Sequence, residues 1–119
     1  MEIGFRFVNY GERFEPQPQT LVLDVGMKTV PGVIDHHHPE AEPECTASLI
    51  AKYPQFVLEH IRAADPFTII THRLPDFDSV ASIFLVLKLL GTGTIDAPME
   101  KLAAYTKMVD SASLPKEID

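Results

Sequence analysis

The chain has few of the features that mark secreted, membrane or disulfide-stabilised proteins. It contains one cysteine, Cys45, in 119 residues, which rules out an internal disulfide. No apolar run approaches the ~20 residues that span a bilayer, and the N-terminus has no basic stretch leading into an apolar one. We therefore expect a cytoplasmic protein that forms a single domain over residues 1–119.

Basic residues are also scarce. Ten Lys and Arg residues against 17 Asp and Glu residues give a formal net charge of -7 at pH 7. Because a protein that binds duplex nucleic acid through its phosphates needs a basic face, the composition argues against that function. Divalent cations held by several aspartates would reverse the local field, however, and would then admit an anionic substrate.

Short apolar strands alternate with helical patterns along the chain. The patterns predict strands over residues 3–9, 21–23, 33–34 and 67–71, and helices over residues 55–63, 79–90 and 98–109. A further helix is expected between Thr46 or Ser48, either of which can cap it, and Pro54. This alternation predicts an α/β fold with a mostly parallel sheet flanked by helices. Functional groups in such sheets cluster beyond the carboxyl ends of the strands.

The first motif with chemical potential is Asp35-His36-His37-His38, directly after a predicted strand. Carboxylates and neutral imidazoles are ligands for Mn, Zn or Fe, and adjacent residues leaving a strand can point to different sides of one site. The internal position of the motif argues against an expression tag. A surface turn rich in histidine is the alternative.

The second motif is His72-Arg73-Leu74-Pro75-Asp76-Phe77-Asp78, between a predicted strand and a predicted helix. A histidine followed by acids four and six places later brings three metal ligands together on one turn. The alternative is that an aspartate only caps the following helix, which aspartate does well. One acid would suffice for a cap, so the spacing favours metal ligands.

Two further acids are weaker candidates. Asp24 ends a short apolar strand, and Asp110 ends the last predicted helix. A turn aspartate or a helix boundary explains either position equally well in isolation. With the two motifs, they predict a divalent-metal centre at the carboxyl ends of the strands.

These motifs resemble those of the DHH phosphoesterase superfamily, which is named for its Asp-His-His signature. The resemblance covers about residues 20–112, including the Leu-Val-Leu-Asp-Val-Gly segment around Asp24 and the stretch Thr46-Ala47-Ser48. The family's His-x-x-x-Asp-x-Asp pattern, with a serine four places on, and its Asp-His-His appear here as His72, Asp76, Asp78, Ser82, Asp35, His36 and His37.

The resemblance implies a hydrolase with two metal ions, usually Mn²⁺ and sometimes Mg²⁺ or Co²⁺. His72 and Asp76 would hold one ion, His36, Asp78 and Asp110 the other, and Asp24 would bridge both. His37 would reach a phosphate oxygen of the substrate, and Asp35 would orient a ligating histidine. The metal pair would lower the pKa of a bridging water, whose hydroxide attacks phosphorus.

The chain also departs from the family pattern. The Asp-His-His motif precedes the His-x-x-x-Asp-x-Asp motif here, whereas the family has the reverse order. The glycine-rich signature of the family's substrate-gripping second domain is absent from the sequence, and Phe77 stands where a small or polar residue is common. At 119 residues the chain is also shorter than the family's usual metal-binding domain. It would then be a fragment, a minimal version or one half of a homo-oligomeric site.

Three functional hypotheses follow. The first is a two-metal phosphoesterase acting on a small phosphorylated substrate or a short oligonucleotide. The second is a non-catalytic module that binds metal or phosphate but lacks the gripping half. The third is a structural protein in which these side chains serve as caps and turn residues. The complete set of acids and histidines favours the enzyme, whereas the missing second domain favours the binding module.

Overall fold

The computed structural model describes residues 2–111, over which a five-stranded sheet is combined with four helices. The strands are β1 (Ile3–Val8), β2 (Thr20–Leu23), β3 (Thr29–Val30), β4 (Val33–Ile34) and β5 (Phe67–His72). The helices are α1 (Thr46–Lys52), α2 (Gln55–Leu58), α3 (Phe77–Thr92) and α4 (Ala97–Asp110). The α/β class expected from the sequence is confirmed.

The strands form one mixed sheet in the order β1-β5-β2-β4-β3. Strand β5 pairs in parallel with β1 and β2, and β2 pairs in parallel with β4. The edge strand β3 is antiparallel to β4 and was not expected, because Pro31 and Gly32 limited the predicted strand to residues 33–34. The chain instead reverses at these two residues, with Gly32 at a φ of 92° that L-residues rarely adopt.

Side chains alternate across the sheet, and each face has its own apolar cluster. The helices pack on one face, where their buried residues join Leu21, Leu23, Ile34, Phe67 and Ile69 of the strands. The opposite face carries a smaller cluster of Val8, Val22, Val25, Val33 and Ile70, packed against Phe14 and Val30. The sheet therefore has a thick helical layer on one side and a thin cover on the other.

The observed ends of helices α3 and α2 differ from the predicted ends. Helix α3 begins after its cap Asp76 and ends at Gly93 (φ 82°), so it is longer than the predicted helix over residues 79–90. Helix α2 ends at Leu58, whereas the pattern predicted a helix to residue 63. Over residues 2–111, no helix has the length and apolar character needed to cross a bilayer.

The parallel strands bring their carboxyl ends to a single edge of the sheet. Asp24 follows β2, Asp35 follows β4, and His72 is the last residue of β5. Tyr10 lies two residues beyond β1 and so reaches the same edge. The strand-end residues singled out in the sequence are therefore neighbours in space.

Candidate metal centre

Asp24 lies at the middle of this edge and is almost fully buried, with 1% of its surface exposed. Its Oδ2 accepts a hydrogen bond from the Ser79 hydroxyl at 2.9 Å and lies 2.9 Å from His72 Nε2. Its Oδ1 lies 3.3 Å from His36 Nε2 and accepts from the Thr46 hydroxyl at 3.1 Å. The two oxygens of one carboxylate thus face two different histidines.

The backbone of Asp24 is strained as well. Its φ is 63°, in the left-handed region that side-chain-bearing residues enter at a cost of about 1–3 kcal/mol. The surrounding contacts hold the residue in that conformation, which aims the carboxylate between the two histidines. Such strain is typical of positions where the direction of a side chain matters for function.

The first potential ligand group comprises Asp24, His72 and Asp76, whose ligand atoms all lie within 4.8 Å of one another. Asp76 also caps α3, because its Oδ1 accepts from the Ser79 amide at 3.0 Å. Asp76 therefore does cap the helix, as the alternative interpretation of this acid expected. The cap does not exclude a second role, since neither that bond nor the one from the Ser79 hydroxyl uses Oδ2.

The second potential ligand group comprises His36, Asp78 and Asp110, again with ligand atoms within 4.8 Å of one another. His36 Nε2 lies 3.4 Å from Asp78 Oδ2 and 3.7 Å from Asp110 Oδ2. Although carboxylates surround this buried nitrogen, none is placed to form a well-directed hydrogen bond with it. A nitrogen in this situation fits a metal ligand, because a cation between it and the acids would satisfy it.

A proton on His36 also balances the charge of these acids. Burial opposes charge on His36, but its interactions with Asp24 and Asp78 and the charge of Asp110 outweigh burial and raise the pKa of His36 to about 10. His36 is therefore cationic at neutral pH without metal. A divalent ion that binds to it must displace the proton.

Asp78 is held by the start of α1 rather than by its own helix. Its two oxygens accept from the Thr46 amide at 3.0 Å and from the Ala47 amide at 2.9 Å. The sequence suggested Thr46 or Ser48 as the cap of α1, but the cap is Cys45, which exchanges hydrogen bonds with Ser48. The free amides of this helix start are thereby available to fix the Asp78 carboxylate across the centre.

Asp35 and His37 form a pair beside the two ligand groups. Asp35 Oδ1 lies 2.6 Å from His37 Nδ1, and the Asp35 carboxylate also accepts from the amides of Met27 and His36. Burial alone would raise the pKa of Asp35, but these hydrogen bonds lower it. The side chain of Asp35 thus orients His37, whereas the family pattern led us to expect that it would orient a ligating histidine.

Two residues at the centre had no signal in the sequence. The Tyr10 hydroxyl lies 3.2 Å from His37 Nε2, and its ring centroid lies 4.4 Å from that of His72. Burial, together with the charges of nearby aspartates, raises the pKa of Tyr10 to about 12, so its hydroxyl keeps its proton at neutral pH. The second is Ser79, whose hydroxyl lies among the first ligand group.

Two neighbouring residues lie outside the ligand groups. His38 turns away from the centre, and its Nε2 lies 3.0 Å from the Thr29 hydroxyl. Burial and the charge of Asp78 raise the pKa of Cys45 to about 12, which keeps this thiol protonated and argues against a nucleophile.

Replacing Asp110 by asparagine should raise the melting temperature of the metal-free protein by about 2–5 °C. Burial and the nearby charge of Asp78 raise the pKa of Asp110 by more than the charge of His36 lowers it. The residue also ends α4, where the helix dipole disfavours an anion. Ionisation of a carboxyl whose pKa is raised by folding lowers the free energy of unfolding, so the folded state is less stable above that pKa than below it. Asparagine removes the charge with little change of shape.

This change is best measured by thermal denaturation at pH 7 in EDTA. Glu100→Gln is the matched control, because it removes one negative charge from the first turn of the same helix, where the dipole favours an anion. That variant should melt at the parent temperature or slightly below it. A lower melting temperature for Asp110→Asn would contradict the repulsion inferred here.

Comparison of the chain with protein-family models, curated proteins and solved structures finds no match. Its function is therefore inferred from the residues of the centre and their geometry.

Proposed function

We propose that the protein is a metal-dependent hydrolase of phosphate esters or phosphoanhydrides with two Mn²⁺ ions at this centre. The ligands would be Asp24, His72 and Asp76 for one ion, and Asp24, His36, Asp78 and Asp110 for the other. Carboxylate and imidazole donors suit Mn²⁺, and they also admit Mg²⁺ or Co²⁺. The buried His36 nitrogen without a hydrogen-bond partner supports a cation at this position.

The position of Asp24 carries the proposal. Its Oδ1 lies 3.3 Å from His36 Nε2, and its Oδ2 lies 2.9 Å from His72 Nε2. One carboxylate therefore contacts a histidine of each ligand group, as an acid shared by two cations must. A pair of caps or turn residues would not require a buried acid in a strained conformation at this point.

The chemistry would be divided between the ions and the chain. Two bound ions would supply a hydroxide from a shared water and would neutralise the charge that develops on phosphorus. His37 would bind the substrate, because Asp35 holds its Nδ1, and its Nε2 would donate to a phosphate oxygen in place of its contact with the Tyr10 hydroxyl at 3.2 Å. The hydrogen bond that His37 donates to Asp35 also raises the pKa of His37, which favours the form that donates from both nitrogens.

The substrate would be a small phosphorylated compound or a short oligonucleotide. A cavity of about 200 Å³ opens beside the second ligand group, and its walls are Asp76, Phe77, Asp78, Thr106, Val109 and Asp110. The ring of Phe77 is 44% exposed and lies edge-on to Tyr105, so it narrows this side of the opening. A small reacting group fits such a cavity better than a bulky one.

We further propose that the chain is a permuted relative of the DHH phosphoesterases, built on a mostly parallel sheet. Apart from the shared Asp24 at the second ion, the residues that the resemblance assigns to each metal form two of the three groups that distance defines among residues 2–111. The third group joins Asp24 and His36 to Asp35 and His37. Strand order explains how permutation could preserve the centre, because β2, β4 and β5 are neighbours whatever their order along the chain.

Hydrolysis of bis-p-nitrophenyl phosphate tests this function directly. We expect release of p-nitrophenol with added Mn²⁺ and none in EDTA, together with uptake of two Mn²⁺ ions per chain by equilibrium titration. His36→Ala and Asp76→Ala should remove the activity. Hydrolysis at the parent rate in both variants would show that the site is wrongly assigned. Uptake of Mn²⁺ with no hydrolysis of any phosphate ester would support the metal-binding module instead.

A further inference from the structure

The Ser79 hydroxyl lies inside the first ligand group and not beside it. Its Oγ is 2.9 Å from Asp24 Oδ2, 2.8 Å from His72 Nε2 and 3.2 Å from Asp76 Oδ1. The residue has no exposed surface. It therefore contacts all three side chains that the proposed function assigns to one metal ion.

The distances from Ser79 Oγ to Asp24 Oδ2 and to His72 Nε2 match those between neighbouring ligands of an octahedral cation. The contact with Asp76 is to its capping oxygen Oδ1, so an ion would be bound by the other oxygen, Oδ2. Ligand atoms about 2.0–2.1 Å from such an ion lie roughly 3.0 Å from one another along the edges of the octahedron. A hydrogen-bonded serine also tolerates these separations, but its one proton can be donated to only one of the two carboxylates. An ion bound by Asp24, His72 and Asp76 would lie within bonding reach of Ser79 Oγ.

The backbone keeps this hydroxyl in place. The Ser79 amide donates to Asp76 Oδ1 at 3.0 Å in the first turn of α3. The same turn thus fixes both an acid of the group and the hydroxyl next to it. The hydroxyl is consequently oriented before any ion binds.

We propose that Ser79 is a direct oxygen ligand of the ion held by Asp24, His72 and Asp76. This inference rests on the proposed two-metal function and adds a ligand that the resemblance does not supply. The neutral hydroxyl makes this half of the centre richer in oxygen, three oxygen donors to one nitrogen, which favours hard cations such as Mn²⁺ and Mg²⁺ over Zn²⁺.

Replacing the hydroxyl by a thiol gives a spectroscopic test that does not depend on activity. In a Cys45→Ser background, Ser79→Cys would provide the single thiol of the chain, and serine is itself a good cap for α1. We expect Cd²⁺ to produce an ultraviolet thiolate-to-metal charge-transfer band that saturates at one ion per chain. Ala81→Cys is the matched control, because it places a buried thiol on the same helix within the apolar cluster. It should give no band.

A second variant covers the case in which the thiol prevents folding. Ser79→Ala should weaken binding of one of the two Mn²⁺ ions about tenfold in an equilibrium titration, and should leave the other ion unaffected. Parent-like affinity for both ions in Ser79→Ala, or a folded Ser79→Cys variant that binds Cd²⁺ without the band, would overturn the inference. Failure of the parent protein to bind Mn²⁺ at all would instead overturn the proposed function.

Discussion

Replacing Asp24 by asparagine should reduce Mn²⁺-dependent hydrolysis of bis-p-nitrophenyl phosphate by about 10³-fold and lower Mn²⁺ uptake below two ions per chain. A carboxylate offers an anionic oxygen to each ligand group, whereas an amide offers one neutral oxygen and one NH₂ donor. The donor would face either His36 or His72, where an ion is expected, and would repel it. Few other single changes affect both groups at once.

The substitution keeps the shape of the side chain, although its NH₂ group replaces one of the two oxygens that accept from the Ser79 and Thr46 hydroxyls. Asparagine has the same shape as aspartate and is among the residues that best tolerate the left-handed backbone at this position. A loss of activity would therefore reflect lost metal binding, and circular dichroism should show an unchanged fold. Asp96→Asn is the matched control, because Asp96 caps α4 and asparagine caps a helix equally well. Activity of Asp24→Asn equal to that of this control would rule out a bridging role.

The affinity for Mn²⁺ should rise about tenfold per pH unit between pH 6.5 and 8.5. The pKa of His36 is raised to about 10 in the metal-free protein, so the ion must displace a proton throughout this range. The stability of the metal-free fold changes with pH in the opposite direction from the affinity for Mn²⁺. Protonated His36 stabilises the metal-free fold fully below its unfolded pKa near 6.5, and this contribution is lost as the pH rises towards 10.

Calorimetric titration in buffers of different ionisation enthalpy measures the proton release directly. We expect about one proton per ion bound at the His36 group at pH 7.5. His60→Gln should leave the pH dependence unchanged, because His60 lies away from the centre and contacts the Gln17 carbonyl. Affinity independent of pH in the parent protein would show that His36 is neutral before the ion binds, or that it does not bind the ion.

The sequence predicted the long elements and the short strands β2 and β4, but it missed the short strand β3 and the end of α2. Strand β5 and helix α3 were predicted correctly because a β-branched strand and a long apolar helix each have a strong local pattern. The two residues of β3 have no such pattern, and they pair only because the turn at Gly32 returns the chain onto β4. The end of α2 was likewise beyond local information, because residues 59–63 are no longer helical although their composition would allow it.

The candidate centre was likewise predicted only in part from the sequence. Residue type and spacing selected the two motifs that contain His36, His72, Asp76 and Asp78 and the strand end at Asp24, because acids and histidines at strand ends are unusual as a set. Asp110, at a helix end, was assigned from the family resemblance. Spacing could not assign partners. Asp78 accepts hydrogen bonds from the amides of Thr46 and Ala47, which lie 32 and 31 positions before it in the chain. No sequence pattern relates these residues.

The order of residue types along the chain was enough to predict an α/β layer and a set of candidate metal ligands. The folded arrangement was needed to place Tyr10 and Ser79 at the centre and to bring Asp24 into contact with both histidines. These groups meet because of the order of the strands in the sheet and not because of their separation along the chain. Asp24 and His72 are 48 positions apart, yet they are neighbours because β2 lies beside β5 in the sheet.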